Sequence, residues 1–265
     1  TSNVAFSLSG SLTDQALDLV GPNGRIELDG SVLSVGTTLA GDGRVLLSGG
    51  ARLDLTGRSL FTGTLDTSSG GRVRVTAGSH AFDAGADLSA ADLRIEGGTV
   101  AIDGTEAAAL ASLELAAGTL AGAGTLEVRD RFEWNGGTIS GTPADVLLVR
   151  PTATASLGAF SGRTLDGRTL DVRAATATWD DVFVTLLNGA RWRQGGAVDV
   201  IGTTPVIQDS TGGGTFELVE GATLTRSAGT GTVSLNAPST LAGAVALQTG
   251  VLDVNDPLSL SGTLD

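Results

Sequence analysis

The residues best suited by type and spacing to do chemistry in this 265-residue chain are Trp179, Asp180 and Asp181, followed by Trp192 and Arg193. Glycoside hydrolysis needs two carboxyl groups facing each other across the bond, roughly 5 to 10 Å apart. An aromatic ring beside them would give a sugar something to stack on. Asp180 and Asp181 are therefore the catalytic candidates, and Trp179 and Trp192 the candidates for carbohydrate contact. The plainer reading, an exposed corner bearing two solvated Asp residues, is preferred, because paired carboxylates mark sites only statistically.

The remaining chemical material is sparse. His80 is the single histidine, too little for a Ser-His-Asp triad or a His-rich metal centre, and it is read as a polar turn residue. Gly41-Asp42-Gly43 is a fragment of a calcium-binding loop and is read as a tight turn. Gly122-Ala123-Gly124 lacks the following helix and the phosphate-facing Lys or Ser/Thr that would make a Gly-rich loop informative. The Gly-His-Gly and Arg-Ile-Lys phrases of polygalacturonase-like enzymes are missing. No metal site and no cofactor is expected.

Composition narrows the partners. The 29 acidic and 16 basic residues give a net charge of −13, and every basic residue is Arg. A phosphate backbone needs clustered positive charge, so neither nucleic acid nor an acidic membrane surface is an expected partner. Cysteine is absent, which removes disulfides, zinc clusters and thiol nucleophiles and fits an extracellular protein. No window approaches the roughly 18 apolar residues of a membrane-spanning helix, so no membrane insertion by this segment is expected. A chain that starts at Thr1 and has no Met reads as a processed product or an excised fragment of a longer protein.

The elements that would position these residues are legible as a repeat. LRIEGGTVAI begins at Leu93, LELAAGTLAG at Leu113 and FEWNGGTISG at Phe132, a step of 20 and then 19 residues. Each copy carries an alternating apolar pair (Leu93 and Ile95, Leu113 and Leu115, Phe132 and Trp134) and then Gly-Thr-apolar at Gly98, Gly118 and Gly137. That period of two is the mark of a strand with one buried face. The same phrase recurs from Arg25 onward, with steps of 20 from Val73 to Leu93 to Leu113 and of 17 and 19 from Phe216 to Val233 to Leu252.

About 20 residues holding two or three short strands between Gly-rich corners is one coil of a β-helix. The 40 glycines then have a cause in the corners. With 4% aromatics, the core is expected to be narrow and aliphatic. The fold class is all-β, a right-handed parallel β-helix, over 1–265 as a single continuous solenoid whose least regular region is 141–167. The stretch Thr105 to Leu115 also reads as a capped helix, but its register with strand-like neighbours favours a strand. Thr99, Thr119 and Thr138 fall one per coil without a Thr-x-Thr pair, and are read as corner residues rather than an ice-binding row.

With its Gly-Gly-Thr-apolar corners and the G-x-G-T-L-x-V phrases at Gly122 to Val128 and Gly229 to Leu235, the whole chain resembles bacterial β-solenoid surface proteins. The nearest are autotransporter passengers and filamentous-haemagglutinin-like adhesins. The resemblance implies secretion, a place at the bacterial cell surface, and roles in adhesion or assembly. It carries over no functional residue. The expected function is a structural and adhesive segment of a large secreted protein, contacting host or neighbouring-cell surfaces, glycans or matrix, with end-to-end self-association. A polysaccharide-active lyase or hydrolase is the alternative, and an ice- or calcium-binding solenoid the next.

Overall fold

In a computed structural model, which describes residues 10–12, 16–21, 24–103, 108–158 and 162–265, the chain forms strands and no helix among those residues. Parallel strands stack as a β-solenoid of about 11 turns, roughly 21 residues per turn. The chain divides into two units, Thr1–Leu126 and Glu127–Asp265.

In the N-terminal unit every full turn lays one short strand on each of three walls. One wall stacks Arg25–Asp29, Arg44–Ser48, Thr64–Ser69 and Asp87–Ala90. A second runs from Val32–Val35 through Arg52–Leu55, Arg72–Val75 and Asp92–Ile95 to the C-terminal half of Ala108–Leu115. The third runs from Thr38–Gly41 through Arg58–Phe61, Ser79–Phe82 and Thr99–Ile102 to Thr119–Ala121. Alternation decides which residues enter. Leu33, Leu53, Val73, Leu93 and Leu113 pair in register, 20 residues apart, and all are buried. Each such side chain contributes about 1.5–3 kcal/mol by leaving water.

The step of 20 from Val73 to Leu93 to Leu113 is thus the register step along this wall from Leu33 onward. The helix reading of Thr105 to Leu115 gives way to a strand at Ala108–Leu115, because the Asp92–Ile95 edge offers backbone partners that local helix propensity cannot match. Thr105 itself lies outside the described residues.

In the C-terminal unit the three walls persist but the coils vary. One wall runs from Gly137–Ser140 to Val251–Val254, with register steps of 26 (Gly137 to Arg163), 21 (Arg163 to Val184), 23 (Val184 to Ile207), 28 (Ile207 to Leu235) and 19 (Leu235 to Val254). The proposed step from Phe216 to Val233 is not a coil. Phe216 pairs with Ser239, whereas Val233 pairs with Leu252 on another wall. The described residues of 141–167 include the strands Val146–Val149, Thr154–Leu157 and Arg163–Asp166.

The expectation of a purely aliphatic core fails in this unit. Trp134, Trp179, Trp192, Phe132 and Phe216 are fully enclosed, as are Arg163, Arg168, Gln194 and Arg226. Trp179 lies 4.8 Å from Trp192, and Phe216 stands edge-on to both at 5.9 and 5.8 Å. Edge-on and tilted rings align quadrupoles favourably and add about 0.5–1.5 kcal/mol per pair beyond their area. The enclosed arginines point into corners and donate to backbone carbonyls. Arg163 Nε reaches Trp134 O at 2.6 Å, and Arg226 reaches Gly202 O at 3.1 Å and Thr203 O at 3.3 Å.

Candidate functional site

The segment Thr176–Trp179 is a strand with Ala177 and Trp179 inward, so the chain must turn outward at Asp180. Trp179 and Trp192 are both 0% exposed. A ring with no exposed face cannot receive a sugar, so their assignment as carbohydrate contacts is corrected to core aromatics. Arg193, which follows Trp192, turns outward and is fixed between Glu217 at 2.8 Å and Asp171 at 3.3 Å.

The two acids of the corner part company. Asp180 is exposed, and its backbone N–H donates to Leu157 O at 2.8 Å. Asp181 adopts a positive φ of 46° and reaches the next coil. Its Oδ1 accepts from the Thr203 N–H at 2.5 Å, the Thr203 hydroxyl at 2.9 Å and the Thr204 N–H at 3.0 Å. Those donors, Thr204 foremost, with the Arg226 charge, hold the Asp181 carboxyl below the usual carboxylate range. A carboxylate stabilised in its charged form is a poor general acid at neutral pH. Its evident work is to tie one corner to the next, and Arg226 ties the same loop from inside.

His80 is not a turn residue. It stands in Ser79–Phe82, inward like Phe82, and is 1% exposed. Its Nδ1 meets the Ser59 hydroxyl at 2.8 Å, and its Nε2 the Ala77 carbonyl at 2.8 Å. Burial pushes its pKa down, partly opposed by the Ala77 carbonyl. At Gly41-Asp42-Gly43 the Asp42 carboxylate accepts from the Gly21 N–H at 2.6 Å, in a corner where Gly41 has φ 105°. Among the described residues no group of three or more His, Asp or Glu side chains is placed to hold a metal ion. Thr99 and Thr119 are register partners, and Thr138 pairs with Thr164.

Two features escaped the sequence. The first is a charge ladder on one wall of the N-terminal unit. Asp54 binds Arg52 and Arg74 at 2.7 and 3.0 Å, Arg72 binds Asp92 at 3.0 Å, Arg94 binds Glu96 at 2.7 Å, and Glu114 receives Arg94 at 3.3 Å. Four arginines meet four acids, so the patch is locally neutral. The planar guanidinium fork suits such shared carboxylates.

The second is a groove of about 700 Å³ on the outside of the C-terminal unit, bordered by Pro143, Thr169, Gly189, Arg191, Gly213 and Thr215. Thr169 and Arg191 are register partners, as are Arg191 and Thr215. A neighbouring hollow of about 300 Å³ shares Thr215 and Thr240 and reaches Pro238, Pro257 and Ser259. Sequence carries no motif for either hollow, since Pro143, Gly189 and Gly213 are corner residues and only pairing brings Thr169, Arg191 and Thr215 into line. Compared with known proteins, the chain matches no family model, no curated protein and no solved structure.

Proposed function

We propose that this chain is a structural and surface-contact segment of a large secreted or cell-surface bacterial protein, acting in adhesion or assembly. Its mechanism is geometric. Ladders of paired coils make a stiff support, and outward rows of polar side chains meet glycans, matrix or neighbouring copies. The observation that carries this reading is where the reactive types are spent. The indoles and the imidazole are packed inside, Asp181 clamps a corner, and the outward arginines and hydroxyls lie in rows repeated from coil to coil.

The test places the purified chain on surfaces coated with glycans or matrix and measures both retention and soluble sugar. The expected result is saturable retention with no sugar released, unchanged in Asp180→Asn. Sugar release by the wild-type chain that disappears in Asp180→Asn would overturn the reading in favour of a polysaccharide-active enzyme.

A further inference from the structure

We infer that the groove centred on Arg191 binds an acidic polysaccharide, with the Arg191 guanidinium taking a carboxylate or sulfate of the chain. This rests on the surface-contact reading above and names its ligand class. Arg191 is exposed and makes no ion pair or side-chain hydrogen bond among the described residues. Its neighbour two residues on, Arg193, is held by Glu217 and Asp171, so one cation is pinned and the other is left for a ligand.

Access is built in. The corners beside Arg191 are Gly189 and Gly213, both at positive φ, so neither corner puts a side chain of its own into the trough. Along the stack the hydroxyls of Thr215, Thr240 and Ser259 and the rings of Pro238 and Pro257 continue the same trough. From Thr169 to Pro257 it crosses five coils, roughly 19 Å at the ordinary spacing of paired strands. The Glu217 carboxylate also lines the trough but is paired with Arg193 at 2.8 Å, so a trough of that length, with one free fork for an anion, hydroxyls for hydroxyls and flat apolar rings for sugar C–H faces, suits a few consecutive uronate or sulfated sugars. The net charge of −13 opposes approach of a polyanion from afar. At physiological salt that field is screened beyond about 8 Å, while a contact at Arg191 is not.

Binding of polygalacturonate oligomers, heparin fragments and neutral dextran is measured by titration calorimetry against the wild-type chain and Arg191→Gln. Arg191→Lys and Arg58→Gln, the latter at an exposed arginine of the other unit, serve as controls. The expected result is binding of one or both polyanions and not of dextran, at least tenfold weaker in Arg191→Gln, partly kept in Arg191→Lys and unchanged in Arg58→Gln. Whether the carboxylated or the sulfated probe binds more tightly identifies the anion. Equal binding by wild type and Arg191→Gln, equal binding of dextran, or an equal loss in Arg58→Gln overturns the inference. If neither polyanion binds while retention on matrix persists, the groove assignment fails and the surface-contact reading stands. If retention is lost as well, both fail.

Discussion

The two units build the same three walls by different means. In Thr1–Leu126 the two walls that begin at Val32 and Thr38 step by 20 or 21 residues, so aliphatics stack on aliphatics, and the core is Leu, Val and Ile with Phe61, Phe82 and His80. In Glu127–Asp265 the step wanders between 19 and 28 on one wall, and three Trp, two Phe and three Arg are enclosed. Regular coils allow small repeated side chains to fill the interior. Irregular ones leave uneven space that bulky rings and long guanidinium stems fill, with carbonyls at loose corners satisfied from within.

The sharpest way to break this comparison is to empty the aromatic cluster. Trp192→Ala is expected to destabilise the C-terminal unit by about 3–5 kcal/mol, whereas hydrogen exchange in residues 24–103 should be little changed. Equal loss of protection in both units would show that they are not independent in stability. Next in size are the corner glycines. A Cβ at Gly78, which has φ 85°, would collide with the Gly57 carbonyl, whereas at Gly212, φ 82°, it meets open space. Strain at positive φ costs about 1–3 kcal/mol at either site, so in urea denaturation Gly78→Ala should lose clearly more than Gly212→Ala.

A smaller difference separates the charge rows. Glu114, 6% exposed between Arg72 and Arg94, should cost about 1 kcal/mol when changed to Gln. Glu217, more open beside Arg193, should cost only a few tenths on the same change. A difference of the opposite sign would mean that the ladder does not stabilise the regular unit. Because burial lowers the pKa of His80, the unfolded chain takes up the proton first as pH falls. Stability of the N-terminal unit is therefore full above the ordinary histidine range and declines as pH falls through and below that range. His80→Gln should remove that slope in urea midpoints taken across the window.

Legibility followed regularity. The pairs Leu93 and Ile95, and Leu113 and Leu115, announced both the strands and their register, because 20-residue coils put like on like. Phe216 and Val233 misled because the 28-residue coil between Ile207 and Leu235 inserts length that an apolar pattern does not count. The sites were misread for a related reason. The alternation that turned Leu93 inward also turns Trp179 and His80 inward, and weighing these residues by chemical type concealed it. The Arg191 groove had no motif to find, since it exists only where coils bring distant hydroxyls and a guanidinium side by side.

All three tryptophans lie in Glu127–Asp265 and none in Thr1–Leu126. The molecule therefore carries an optical label on one half only. Indole emission reports the environment of the irregular coils alone, while the peptide circular dichroism sums over both. Coincident curves from the two signals would mark a single cooperative unit, and their separation would measure how far the stacked coils can come apart one unit at a time.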